Sequence, residues 1–322
     1  MKKTGILLLN TGSPAAPTPD AVRKYLTQFL TDPRICPMNP RLWRFILKRF
    51  VLPKRSVASA AKYAAIWTEV GSPLDAITES LANKLMASLQ SAGSNAVVTY
   101  AMSYGSPSVS EVLHCLVAKG CNHIIALPLY PQSALCTTEA VRDKLDEALA
   151  GLHQSPEVSF VENYYRKDAY IDAVTQTIRA AGFRAGTSDK LLFVFHSIPT
   201  SDIKDGDTYP EQTVWTVEAI AGKLGLAQNE WGLGYQCRFD KGRSWLGPSA
   251  NVVLKELIAH NSDLFVVAPN FSIDCLETLY DIDILMRDSF LESGMVKSFH
   301  YVPCLNDSDL QIALIESVIE GS

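Results

Sequence analysis

Glycine-rich phosphate cradles are missing from this chain. No G-x-G-x-x-G follows an apolar run and no G-x-x-x-x-G-K-[ST] occurs, which disfavours a dinucleotide-dependent dehydrogenase and a P-loop NTPase. Gly232 and Gly234 stand close together, but inside an apolar run rather than after one. There is no G-x-S-x-G nucleophile elbow either. A surplus of cations is also missing. Lys and Arg number 29 against 34 Asp and Glu, a net charge of −5, which excludes a broadly basic nucleic-acid binder. Cysteine pairs are absent. The seven cysteines are an odd count with no C-x-x-C, so they read as free thiols of a reducing compartment, not a disulfide framework or a zinc site. No apolar run approaches the roughly 18 residues of a membrane span. The apolar stretch that ends before Asn10 is too short for a signal peptide. The expected location is the cytoplasm.

What remains is an ordinary globular composition, 47% hydrophobic and 20% charged over 322 residues, with length enough for two domains. Short apolar runs lie at 5–10, 96–102, 123–129, 158–163, 190–196, 232–237, 263–268 and 297–303. Most end at Gly, Pro, Asn or Ser. Helical periodicity fills intervals such as 111–118 and 138–152. Strand alternating with helix predicts parallel sheet covered on both faces.

The runs also repeat. Ile6-Leu7-Leu8-Leu9-Asn10-Thr11-Gly12-Ser13-Pro14 parallels Leu191-Leu192-Phe193-Val194-Phe195-His196-Ser197-Ile198-Pro199. Tyr100 to Tyr104 faces Tyr235 to Phe239, and Ile124 to Pro131 faces Leu264 to Phe271. One α/β unit of four strands is therefore expected twice, as domains 1–170 and 171–322. The halves differ in one spacing. Asn10 to Tyr104 is 94 positions, whereas His196 to Phe239 is 43. The first half thus carries an insert of about 50 residues, at about 33–70. That insert has no acidic residue from Pro33 to Thr68. Arg34, Arg41, Arg44, Lys48, Arg49, Lys54 and Arg55 interleave with Leu42, Trp43, Phe45, Ile46, Leu47, Phe50 and Leu52. A solvated basic helix is one reading. A lid that meets an acidic, apolar ligand or an anionic membrane surface accounts better for the aromatic content.

Ligands of open α/β sheets bind beyond the carboxyl ends of the strands. His196 ends one run there, ahead of Ser197-Ile198-Pro199. Imidazole can accept a proton or bind a divalent metal. His114, His123, His153, His260 and His300 lack such placement and read as surface or packing residues. Beyond the run 263–268 lie Asp274, Glu277, Asp281 and Asp288, at spacings of 3, 4 and 7. That spacing predicts four carboxylates on one helix face, either a solvated acidic face or a row visited by a cation. Glu277 lies early in the helix, where a carboxylate can take protons or touch a hard cation. Two ligands, His196 and Glu277, would make a sparse metal site, suited to an ion in transit.

These residues carry a resemblance to the ferrochelatase family, enzymes that insert Fe²⁺ into a porphyrin to make haem. The likeness runs along nearly the whole chain. It includes the opening strand and loop, then Gly71-Ser72-Pro73-Leu74, Met102-Ser103-Tyr104-Gly105-Ser106-Pro107 and Leu127-Pro128-Leu129-Tyr130-Pro131-Gln132. It continues through Phe195-His196-Ser197-Ile198-Pro199, Gly206-Asp207-Thr208-Tyr209-Pro210 and Tyr235-Gln236-Cys237-Arg238-Phe239. It ends with Trp245-Leu246-Gly247-Pro248 and Asp274-Cys275-Leu276-Glu277-Thr278-Leu279. In this order and spacing the set is highly specific.

The resemblance implies two Rossmann-like domains of the chelatase type, each a four-stranded parallel sheet flanked by helices. It implies His196 and Glu277 as catalytic residues that also meet Fe²⁺ in transit, with Asp274, Asp281 and Asp288 as a proton or metal path. It places Tyr63, Tyr104 and Tyr130 near the porphyrin, with Trp43 and Phe45 of the lip as further porphyrin-binding residues. Porphyrin, with protoporphyrin IX expected, and ferrous iron are the partners. Peripheral contact with an anionic membrane surface fits the insert, and nucleic acid is not a partner. No tightly bound cofactor is expected. Some relatives carry an iron–sulfur cluster on C-terminal cysteines, and no cysteine follows Cys304 here. The sequence departs from the family at Leu135-Cys136-Thr137, and at Ser103, where some relatives have an arginine. A non-catalytic tetrapyrrole or metal carrier, and a chelatase for cobalt or nickel, stay open as alternatives from the residues alone.

Overall fold

The computed structural model describes residues 3–36, 39–237, 242–257, 262–292, 294 and 297–321. Arg238, Phe239 and His260 lie outside the described residues. Eight strands form two four-stranded parallel sheets. They are β1 (Thr4–Asn10), β2 (Val97–Met102), β3 (His123–Pro128) and β4 (Glu157–Phe160), then β5 (Lys190–His196), β6 (Trp231–Gln236), β7 (Asp263–Val267) and β8 (Ser298–Val302). The orders β2-β1-β3-β4 and β6-β5-β7-β8 are the same arrangement twice. Each of the eight apolar runs is a strand.

Compact grouping divides the chain into one unit of residues 1–129, 135–162 and 319–322, and a second of 130–134 and 163–318. The main division thus comes ahead of the 170/171 boundary expected from the sequence. Helix Asp168–Ala180 groups with the second unit.

In the first unit β1 is central and buried on both faces, with Leu7, Leu8 and Leu9 fully buried. This is why its sequence is a continuous apolar run rather than an alternating one. The loops after β1 and β2 interlock at the carboxyl edge. Gly12 has φ +96°, and a Cβ there would lie 2.0 Å from the Tyr104 carbonyl oxygen. Only glycine fits such a position. The insert is helical: Pro40–Ile46, a π-helical turn Leu47–Val51, and Leu52–Ile66.

Helix Pro73–Ser91 packs on β2 and precedes it. It runs opposite to the strands, so its first turn lies at their carboxyl edge. There Ser13 Oγ donates to Asp75 Oδ2 at 2.5 Å, while Asp75 Oδ1 is buried without a hydrogen-bond partner. Burial pushes the Asp75 carboxyl up to about 6, against the Ser13 hydrogen bond, which lowers it.

In the second unit β5 is central, with Phe193 and Phe195 fully buried. Helix Ala250–Leu257 crosses β6 at close range, and a Cβ on Gly234 would lie 2.4 Å from the Ala250 Cα. The two glycines of β6 therefore serve helix–sheet approach. The core beneath includes Leu192, Val194, Leu264, Val266, Ile282, Met286 and Phe290.

Asp75 makes stability depend on pH. Between roughly pH 4 and 6 the folded chain holds a proton that the unfolded chain has released. The contribution of this residue therefore falls as pH rises through that window and stays low above it. Asp75→Asn is expected to raise stability at pH 8 by about 2–3 kcal/mol, at 1.36 kcal/mol per pKa unit, and to change it little near pH 4. Urea unfolding at the two pH values checks this. An equal effect at both would show that Asp75 is not the titrating group.

Candidate active site

His196 closes β5 and is half-buried. Its Nδ1 lies 2.7 Å from the Ser197 carbonyl oxygen. A carbonyl only accepts, so Nδ1 carries the hydrogen, and in the neutral ring Nε2 is left as the free acceptor. Ser197 is itself fixed. Its amide donates to the Gln236 carbonyl at 2.8 Å and its Oγ to the Leu246 carbonyl at 2.8 Å. The Leu246 amide in turn donates to the Ile198 carbonyl at 2.9 Å. The imidazole thus sits on a braced strand end rather than on a mobile loop.

The acidic segment does not form one regular helix, which corrects the expectation of four carboxylates on a single face. Helix Leu276–Leu279 is one turn long, a π-helical stretch Asp281–Met286 follows, and helix Arg287–Glu292 completes the segment. Ile282, Met286 and Phe290 of this segment enter the core. π-turns inside helices frequently accompany functional sites.

Asp274 lies ahead of the helix and is 5% exposed. Oδ1 accepts from Thr278 Oγ1 at 2.9 Å and Tyr301 Oη at 2.5 Å, and Oδ2 from Asn306 Nδ2 at 2.7 Å. Its acceptor capacity is occupied by protein donors, which marks it as a structural node. Burial first, then Cys304 and Asp274, push the Tyr301 hydroxyl well up. Burial, followed by Asp274, does the same for the Cys304 thiol. Asp283 pairs with Arg287, and burial raises its carboxyl while Arg287 lowers it. Asp281 is half-buried and Asp288 is exposed.

Glu277 is half-buried in the one-turn helix. The buried Cys275 thiol beside it is pushed well up, by burial first and then by Glu277 and Cys304. It therefore stays a thiol. Gln236 Nε2 donates to the Glu277 backbone carbonyl at 3.2 Å, and Cys237 Sγ to Asp281 Oδ2 at 3.4 Å. Gln236 is also the ladder partner of His196. His196 and Glu277 are thus joined through one residue of β6. Among the described residues no group of three or more His, Cys, Asp or Glu side chains is arranged to hold a metal ion.

The aromatic candidates are placed differently. In the first unit Tyr104 is 5% exposed, and its hydroxyl donates to Asp32 Oδ2 at 3.0 Å. Tyr63 is buried edge-on to Trp67. Trp43 Nε1 donates to the Leu30 carbonyl at 2.5 Å. Phe45 is 63% exposed and meets Phe50 edge-to-face. Tyr130 is buried and opens the segment 130–134, which groups with the second unit. In that segment Gln132 Nε2 donates to Tyr170 Oη and Thr216 Oγ1. Gln236, Cys237, Tyr301 and Asn306 are site neighbours that no spacing rule picks out. Gln236 and Cys237 fall within Tyr235 to Phe239, a segment of the internal repeat that also carries the family resemblance, and they stand at the carboxyl end of a strand.

Comparison with solved structures gives the class. SirB from Bacillus subtilis with Fe³⁺ superposes with a TM-score of 0.59 at 10% identity, covering 99% of this chain and 94% of that one. CbiX, the terminal enzyme for biosynthesis of siroheme in denitrifying bacteria, gives 0.52 at 13% identity, covering 99% of both. At such identities the likeness concerns the fold, which is the two-sheet chelatase architecture. The ferrochelatase family model matches residues 3–322, and the chain belongs to that family. The ferrochelatase of Vibrio cholerae is 41% identical over 320 residues, covering 99% of this chain and 98% of the relative. That of Aromatoleum aromaticum is 40% identical over 322 residues, covering 99% and 88%. The chain is accordingly a metal-inserting enzyme of haem biosynthesis, acting on a porphyrin and ferrous iron.

The two classes of acidic residue should separate on mutation. Asp274→Ala removes an acceptor shared by Thr278, Tyr301 and Asn306, at about 1–3 kcal/mol for each buried donor left unsatisfied, and should lower the urea midpoint strongly. Asp288→Ala should stay within about 0.5 kcal/mol. Equal effects would remove the structural assignment of Asp274.

Proposed function

We propose that the proton-removing wall of this iron-inserting enzyme is the carboxyl edge of the second sheet, with His196 and Glu277 as its working groups. A free porphyrin carries two pyrrole N–H protons, and both must leave as Fe²⁺ enters. Neutral His196 offers Nε2 to a pyrrole proton, because Nδ1 is committed to Ser197. Glu277, as a carboxylate, receives a proton or steadies the incoming cation. Asp281, half-buried on the π-turn, continues the route outward, and the exposed Asp288 meets solvent beyond it. Iron is a substrate, and the reading requires no resident cofactor. The observation that carries it is the fixed tautomer of His196 at a braced strand end.

Anaerobic insertion of Fe²⁺, followed by absorbance with protoporphyrin and coproporphyrin, tests the assignment. His196→Ala should abolish insertion while porphyrin binding and fold persist. Glu277→Gln should lower turnover by about 10²-fold or more, within the range for removing a positioned acid–base group. Turnover of His196→Ala close to that of the parent would overturn the roles.

We further propose that the insert docks peripherally on an anionic membrane, from the cytoplasmic side. Leu42, Phe45 and Phe50 are more than half exposed, beside exposed Arg41, Arg44, Lys48 and Arg49. An apolar face edged by cations suits a lipid interface. No described helix is long and apolar enough to cross a membrane. The seven cysteines form no disulfide among the described residues, which suits a reducing compartment. Co-sedimentation should favour anionic over neutral vesicles, weaken with salt as screening over about 8–10 Å sets in, and fall in Phe45→Ser/Phe50→Ser. Equal binding to both vesicle types would remove the proposal.

A further inference from the structure

We infer that Gln236 is a positioning residue for iron insertion, holding the imidazole of His196 and the turn that bears Glu277 at a fixed separation. The inference rests on the roles given above to His196 and Glu277, and adds a residue that touches neither reacting group. Three contacts carry it. The Gln236 backbone carbonyl accepts from the Ser197 amide at 2.8 Å, and the Ser197 carbonyl sets the His196 ring through Nδ1 at 2.7 Å. The Gln236 side chain donates from Nε2 to the Glu277 backbone carbonyl at 3.2 Å. One residue therefore reaches both arms, by main chain on one side and side chain on the other.

The next residue adds a second grip. Cys237 has φ +62°, a left-handed conformation that disfavours a residue with a Cβ. In it the Sγ reaches Asp281 Oδ2 at 3.4 Å. The end of β6 thus holds the Glu277–Asp281 turn at both ends. Helix Leu276–Leu279 is a single turn running into a π-helical stretch, so it has little regular helix of its own to fix its orientation. Contacts from a strand end supply what the short helix lacks. A misplacement near 1 Å can cost on the order of 10²-fold in rate, which gives such a grip kinetic weight.

Gln236→Met and Gln236→Glu both keep the side-chain length and remove the Nε2 donor. Either is expected to lower kcat for Fe²⁺ insertion by roughly 10- to 100-fold. The KM for porphyrin should stay within about twofold and porphyrin-binding stoichiometry should be unchanged, so that a smaller folded fraction does not explain the loss. On a Glu277→Gln background the same substitution should cause little further loss, because residues acting as a unit are non-additive. Cys237→Ala should lower kcat by several-fold, and Cys237→Ser should recover most of it. A parental kcat in both Gln236 variants, or a fully additive loss on the Glu277→Gln background, overturns the inference. If His196→Ala and Glu277→Gln are inactive while the Gln236 variants are normal, only the positioning role fails. If His196→Ala and Glu277→Gln remain active, the underlying roles fail and the inference with them.

Discussion

The amide of Ser197, donating to the carbonyl of Gln236 at 2.8 Å, is the last rung of the parallel ladder between the central strand of the second sheet and its neighbour. Where a ladder ends, the backbone turns away and its side chains are released from the sheet faces. His196 stands at that point, with one ring nitrogen committed to the chain and the other left open. The chemistry of the imidazole is therefore set by backbone geometry before any substrate arrives. Everything behind the rung serves to keep it in place: a β5 buried from Leu191 to Phe195, a helix admitted close to β6 by Gly234, and the Ser244–Leu246 segment tied to Ile198 and Thr200.

Much of this architecture is legible from the amino-acid order. Eight apolar runs bounded by Gly, Pro, Asn or Ser are eight strands because parallel strands are covered on both faces and need continuous apolar sequence. The repeat is legible because β1 and β5 do the same work, each central in its sheet and each followed by polar residues and proline. The boundary at 170/171 is less legible. No glycine or proline cluster marks Glu162, and helix Asp168–Ala180 joins the second unit through tertiary packing that periodicity does not reveal.

The acidic segment shows where spacing misleads. Asp274, Glu277, Asp281 and Asp288 fit an α-helical face when only the charges are counted. The chain passes from the single α-helical turn Leu276–Leu279 into the π-helical stretch Asp281–Met286, and the face is broken. Ile282, Met286 and Phe290 enter the core from that segment. Asp274 is lost to the row for a separate reason. Its partners Tyr301 and Asn306 come from beyond β7, and contacts between distant positions leave no local pattern.

The ligand chemistry of this edge follows from the same burial. Thiolates would bind iron tightly, but burial pushes the Cys275 and Cys304 thiols well up, so both remain thiols. On the proposed assignment, what the edge offers a cation is an imidazole nitrogen and half-buried carboxylates, ligands of borderline and hard character. Ferrous iron must leave this chain for the four nitrogens of a macrocycle. On that assignment, a wall whose Cys275 and Cys304 stay thiols and whose Asp274 carboxylate is taken up by protein donors would hold the ion loosely, and loose holding is what a metal bound for another ligand requires.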